Sequence, residues 1–241
     1  MSDAAMWEPV VRARAHELVI QAIEDQITSG ALRVADPLPP ERELAARLGV
    51  SRAGVREAVR VLEGQGVLRS RVGSGAEAGT FVAALPDAAL TRFLRLHVAL
   101  ANFPMSDVIA ARIALERTSA ALAAAHATEA ALDGIAALVE RMDDPALDRA
   151  AFNAADAELH IAIAQASGNR LVASLAVAIR GALRDPLLRA IESAGGWDET
   201  AADLQRQHHG ILDALRGGDG ARAADLMEQH IRYAEAALAL A

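Results

Sequence analysis

Apolar residues recur at three- and four-residue spacing along most of the chain, and the places where that rhythm stops define its elements. From Pro86 to Ala241 no convincing strand can be read. Ala and Leu dominate, which suits helices, and Val, Ile and aromatic residues are scattered at helical spacing. Breaks are predicted at Asn102–Phe103–Pro104, Asp143–Asp144–Pro145, Ser167–Gly168–Asn169, Asp185–Pro186, Gly195–Gly196 and Gly217–Gly220. They divide the segment into six to seven helices of ordinary length, the profile of an antiparallel all-α bundle.

Before Pro86 the pattern is different. Residues 39–63 predict two short amphipathic helices, the first from Glu41 to about Leu48. Gly49 can take the positive φ that ends it, Val50 can plug the space between the helices, and Ser51 sits at the N-cap position of the second. That second helix places Arg52, Arg56 and Arg60 on one face, with Val55, Ala58, Val59 and Leu62 opposite. Next come a turn at Gly64–Gly66, an extended VLRSRV, a Gly-rich tip at Gly73–Gly79 and an extended TFVA, which together predict a β-hairpin wing. Two helices of this kind can be an ordinary hairpin with a solvated basic face. Followed by a wing, they have the layout of a winged helix-turn-helix DNA reader. The fold class is therefore mostly α. The expected domains are 1–83, a winged helix-turn-helix, and 84–241, an all-helical bundle, with the linker near Ala83–Asp87.

Charge refines this picture. The formal net charge is −8, which by itself argues against a DNA binder. Yet residues 37–72 carry seven Arg against four acids, a net of +3, and a phosphate backbone responds to charge within about 8 Å. The chain has no Cys, which excludes disulfides and thiolate metal sites. No apolar run is long enough for a membrane span, and no secretory pattern opens the chain, so the expected location is cytoplasmic.

Residues from about 13 to 83 resemble the winged helix-turn-helix domain of the GntR superfamily of bacterial regulators. The matching pieces are LVIQAIEDQITSGAL, LPPERELAARLGVSRAGVREAVRVLEGQGVL and GTFV, in the family's order and spacing. The chain departs from the pattern at Ala53–Gly54, where the family often has Thr or Pro, and in a wing tip a few residues longer than usual. The resemblance implies DNA contacts from Arg42, Ser51, Arg52, Arg56 and Gly73. Arg42 would reach a backbone phosphate, Arg52 and Arg56 the groove, Ser51 a phosphate while capping, and Gly73 would let the wing approach the minor groove. Most of residues 90–235 resembles the all-helical effector-binding domain of the FadR-type branch, the FCD domain. The cues are R-x3-E at Arg112 and Glu116, D-x3-H at Asp156 and His160, the S-G-N break, and His208 with His230.

Spacing gives those last residues a common chemistry. Asp156 and His160 are four apart and share a helix face. His208 and His230 lie at similar distances on either side of the turn at Gly217–Gly220, so an antiparallel helix pair brings them to one level. One carboxylate and three imidazoles suit a divalent metal ion, Zn²⁺ first, with Ni²⁺ or Mn²⁺ as alternatives. The family's metal-binding members use these motif positions. An i, i+4 Asp/His pair alone can equally be a surface ion pair, and imidazoles can bind a carboxylate directly. Arg112 sits in an apolar helix and reads either as the partner of Glu116 or as a bidentate clamp for an effector carboxylate. Asn169 follows Gly168 at a helix start and reads as a cap or as an effector contact.

The expected function is a ligand-responsive DNA-binding transcriptional regulator and not an enzyme: a repressor released by a small organic acid bound near the metal. It would act as a homodimer on double-stranded DNA with a near-palindromic operator, because one winged helix reads only a half-site. The alternative is a metal-dependent enzyme acting on a small carboxylate, with an accessory DNA-binding domain. No H-E-x-x-H or comparable motif pairs a base with a metal.

Overall fold

The computed structural model describes residues 15–73, 78–84 and 87–239. The interior of the wing tip and part of the expected linker lie outside the described residues. The chain divides into two compact units between Ala89 and Leu90.

The first unit contains α1 (Ala15–Thr28), α2 (Glu41–Leu48), α3 (Arg52–Gly64), β1 (Leu68–Arg71) and β2 (Gly79–Val82). Gly49 ends α2 with φ of 66°, a left-handed value that a side chain would resist. Ser51 caps α3, its Oγ accepting the Gly54 N–H at 3.1 Å. The two strands pair antiparallel, Leu68 opposite Val82 and Arg71 opposite Gly79. The core beneath them is built from Val19, Ile23, Leu44, Val55, Ala58, Leu62, Leu68 and Val82, with Val50 packed at its edge. Gly54 has a packing reason, because a Cβ there would lie 3.2 Å from the Cβ of Ala15. Its cost in helix propensity, about 1 kcal/mol, is accepted so that α1 and the start of α3 can approach.

The second unit has seven helices among the described residues: α4 (Asp87–Ala99), α5 (Met105–His126), α6 (Glu129–Met142), α7 (Arg149–Ala166), α8 (Arg170–Ser193), α9 (Trp197–Arg216) and α10 (Gly220–Ala237). Helix α5 runs through the bundle and contributes Ile113, Ala120 and Ala123 to a core shared with Ile135, Leu159, Leu183, Ile211, Met227 and Ile231. Helix α10 starts against it. A Cβ at Gly220 would sit 2.8 Å from the Ala121 carbonyl oxygen, so only glycine allows this approach.

Two breaks differ from expectation. Pro186 does not end a helix; it lies inside α8. An interior proline costs about 3 kcal/mol. Leu183, Leu187 and Ile191 are buried on both sides of it, each worth about 1.5–3 kcal/mol, so burial outweighs the lost hydrogen bond. Conversely, an unpredicted break separates α5 from α6. No Gly or Pro marks it. Thr128 makes it by capping α6, its Oγ1 accepting the Ala131 N–H at 3.2 Å.

Candidate metal centre and nucleic-acid interface

Asp156, His160, His208 and His230 meet in the interior of the second unit, all buried, with one ligand atom of each within 4.8 Å of the others. Helix α7 supplies the first two, α9 the third and α10 the fourth. His208 Nε2 lies 3.1 Å from Asp156 Oδ1, His160 Nε2 3.5 Å and His230 Nε2 3.8 Å. His160 Nε2 and His230 Nε2 are 3.2 Å apart. Tetrahedral zinc with bonds near 2.0–2.1 Å places its ligands about 3.3–3.4 Å from one another, so these spacings fit an ion at the centre.

The neighbours of the rings orient them toward that point. His160 Nδ1 bonds Glu116 Oε2, a carboxylate that can only accept, so the N–H is on Nδ1 and Nε2 faces the cluster. His230 Nδ1 donates to Gln207 Oε1 at 3.0 Å, which turns its Nε2 inward in the same way. The two Nε2 atoms face each other across 3.2 Å, a separation that either a proton on His160 or a metal ion can bridge. His208 Nδ1 is buried with no partner among the described residues. His209 points elsewhere and meets Asp143 at 2.8 Å on the surface.

Charges around the cluster are interleaved. Glu116 also receives Arg112 Nε at 2.6 Å, with both side chains buried. Asp156 Oδ2 is held by Arg180, which is itself 3% exposed. Burial pushes the Asp156 and Glu116 carboxyls up, but the guanidiniums and His160 outweigh it and hold both below the usual carboxylate range. Burial likewise disfavours charge on His160, yet the Glu116 and Asp156 carboxylates raise it above the ordinary histidine value. Burial lowers His208 and His230, and the neighbouring rings add to the effect at His230.

Beside the cluster lies a cavity of about 20 Å³, room for about one water, bordered by Arg112, Asn153, Asp156, Arg180 and His230 and also lined by apolar side chains that include Leu187 and Ile191. Arg112 pairs with Glu116 through Nε, while its end-on edge, Nη1 and Nη2, borders the cavity and makes no hydrogen bond to any described residue. Asn169 is not at this site. Its Oδ1 caps α8 by accepting the Val172 N–H at 3.2 Å from an exposed position, and it does not line this cavity. Arg180 and Gln207 were not anticipated. Arg180 was legible, since it interrupts the apolar run LAVAIRGAL just as Arg112 interrupts its own.

In the first unit Arg42, Arg52 and Arg60 are exposed, and Ser51 keeps its hydroxyl hydrogen free to donate while it caps. Arg56 differs. Its guanidinium holds Glu41 at 2.9 and 3.3 Å, a clasp between α2 and α3, and this bond lowers the Glu41 carboxyl. Arg71 lies over the Phe81 ring at 5.1 Å, and Gly73 is exposed at the end of the described part of the wing.

Residues 107–233, more than half of the chain, match the FCD domain, and residues 15–77 match the bacterial regulatory proteins of the gntR family. The chain belongs to the GntR family of regulators, with an FCD domain as its C-terminal part. This GntR-family regulator is 28% identical over 204 residues to the Glc operon transcriptional activator of Escherichia coli K12, covering 83% of this chain and 79% of that protein. It is 28% identical over 236 residues to the transcriptional repressor NanR of Escherichia coli, covering 95% and 86%. A solved Streptococcus agalactiae GntR structure superposes with a TM-score of 0.61 at 27% identity, covering 90% of this chain and 97% of that one. No described helix is long and apolar enough to cross a membrane. Regulation of transcription through DNA binding, in response to a ligand, is thus the function of the chain.

Proposed function

We propose that this regulator binds one divalent metal ion, Zn²⁺ first, through Asp156, His160, His208 and His230, and that a small organic acid binding beside it controls operator affinity. The observation that carries the reading is the pair of inward-facing Nε2 atoms 3.2 Å apart beside a cavity bordered by the unpartnered end of Arg112. The ion, when bound, supplies a positive centre for carboxylate oxygens. Arg112 orients the acid, Glu116 and Gln207 fix the rings, and Leu187 and Ile191 keep bulk water out.

DNA is held by Arg42, Ser51, Arg52, Arg56 and Gly73. Arg52 takes the main groove-facing role, and Arg56 first stiffens the α2–α3 pair through Glu41. The acting species is a homodimer on a near-palindromic operator in the cytoplasm. An acid bound at the metal shifts operator affinity only if the two dimer arrangements bind it differently; a tenfold effect needs about 1.4 kcal/mol of coupling. Release of a repressor is the expected sign. The relatives include a named activator and a named repressor, so the sign is measured and not inherited. The test is metal analysis of purified protein, then calorimetry with a carboxylate panel and gel shifts on the operator with and without the binding acid. Full metal content in both His208→Ala and His230→Ala would refute the ligand set.

A further inference from the structure

Arg52, Arg56 and Arg60 share one face of α3, but they do not stand alike on it. Arg52 and Arg60 are exposed and make no ion pair among the described residues. Arg56 is clasped. Glu41, fifteen residues earlier at the start of α2, accepts from its Nε at 3.3 Å and its Nη2 at 2.9 Å. The Arg56 side chain is still 52% exposed. Arg52 and Arg60 add to Arg56 in holding the Glu41 carboxyl below its usual range, so one carboxylate lies in the field of the whole stripe.

An acid in that place is a disadvantage for plain phosphate binding. It repels the DNA backbone and neutralises one of the cations that the backbone would meet. As a tether between α2 and α3 it is weak, because exposed ion pairs are worth little in water. The two helices already share a core that includes Leu44, Val55 and Val59. The donor pattern gives the acid a second use. A guanidinium is flat and carries five N–H groups in a fixed fork. Glu41 takes the side-on pair, Nε and Nη2. What remains is the end-on pair, Nη1 with the second hydrogen of Nη2, which makes no hydrogen bond to any described residue. Two parallel N–H groups of this kind match the O6 and N7 acceptors of guanine in the major groove. A free arginine meets a phosphate in many orientations, whereas one whose plane is fixed presents one edge in one orientation.

We propose that Glu41 is a positioning residue for base readout: it locks the Arg56 guanidinium so that its end-on edge reads one guanine per half-site, and it holds that arginine away from phosphates. This rests on the reading of Arg56 as a DNA contact and adds the residue that sets what Arg56 selects.

The test is selection by the full chain from a pool of duplexes with a randomised core, followed by sequencing, together with titration of one non-specific duplex over a range of salt. The parent should prefer guanine at least about tenfold at the Arg56 position, which Arg56→Ala identifies by losing that preference. Glu41→Ala should lose most of the same preference and no other. It should also bind the non-specific duplex several-fold more tightly, with a salt slope steeper by about one as Arg56 turns to a phosphate. Glu41→Gln, with one accepting oxygen, should fall between, and Glu41→Ala/Arg56→Ala should match Arg56→Ala in base preference. Circular dichroism confirms that each variant is folded. A tether alone predicts the opposite pattern: Glu41→Ala weakens every duplex and keeps the guanine preference. That result, or loss of preference at every position, overturns the proposal while leaving Arg56 in the groove. If the parent selects no sequence, or Arg56→Ala keeps every preference of the parent, the reading of Arg56 itself fails and the proposal with it.

Discussion

Glu116→Gln tests the centre at its hinge. The Glu116 carboxylate accepts from Arg112 Nε at 2.6 Å with one oxygen and from His160 Nδ1 with the other. Glutamine keeps the shape but offers one accepting oxygen, so either the guanidinium or the imidazole N–H is stranded. A lost hydrogen bond to a charged group costs about 1.5–3 kcal/mol. Leaving Arg112 buried without a counter-ion raises the total to roughly 3–5 kcal/mol. For a chain of this size about 1 kcal/mol moves the melting temperature 2–4 °C, so thermal unfolding of the metal-free protein should fall by on the order of 10 °C. Loss of the group that orients a metal-ligating histidine should also weaken zinc affinity roughly 10–100-fold, read by competition with a chromophoric chelator. Arg112→Met/Glu116→Gln removes the stranded cation and leaves the glutamine oxygen to His160. It should regain at least half of the lost stability. A single variant melting within about 2 °C of the parent, or a double variant no more stable than the single one, would show that the Arg112–Glu116–His160 chain does not hold the site together.

Zinc binding near neutral pH should release about one proton, from His160, because His208 and His230 are held below and His160 above the ordinary value. Calorimetry in two buffers of different ionisation enthalpy should show the release vanish as pH rises past the His160 pKa; a release that grows with pH contradicts the assignment. In the metal-free protein, stability from His160 is complete below the unfolded value of about 6.5 and lost as pH rises through the folded one, while neutral His208 and His230 contribute above about 6.5 and lose it as pH falls. Arg52→Ala should cost about 1–3 kcal/mol of specific operator affinity in a gel shift, and undiminished binding removes it from the groove. Asn169→Ala should lower stability by about 1 kcal/mol through its lost cap with acid affinity unchanged; a change in acid affinity returns Asn169 to the effector site.

The local grammar of the DNA-binding unit was open to reading because its signals are chemical and short-range. A left-handed glycine, a serine cap and an arginine stripe each act within one turn. The meeting of Asp156, His160, His208 and His230 was legible for a related reason: i, i+4 spacing and equal distances from a glycine turn translate directly into space. What escaped depended on tertiary burial. Pro186 looked like a stop because propensity is local, while the leucines that carry α8 through it act from other helices. Thr128 looked ordinary because a cap without glycine or proline leaves little trace. Arg180 and Gln207 act on Asp156 and His230 from 24 and 23 residues away, and no periodicity ties such pairs together.

Gly220 has no side chain and sits ten residues, about 15 Å along a helix, from His230. Yet the close approach to Ala121 that it permits sets how deeply α10 seats in the bundle. A methyl group there would lift the helix by a sizeable fraction of an ångström, while metal bonds tolerate about 0.2 Å. The tolerance of the ligand set is thus fixed at a distance by the smallest residue in the chain. In evolutionary terms, that glycine couples the drift of a tight turn to the geometry of the four-residue cluster. Grafting the four ligands onto another helical scaffold would then require carrying this contact along with them.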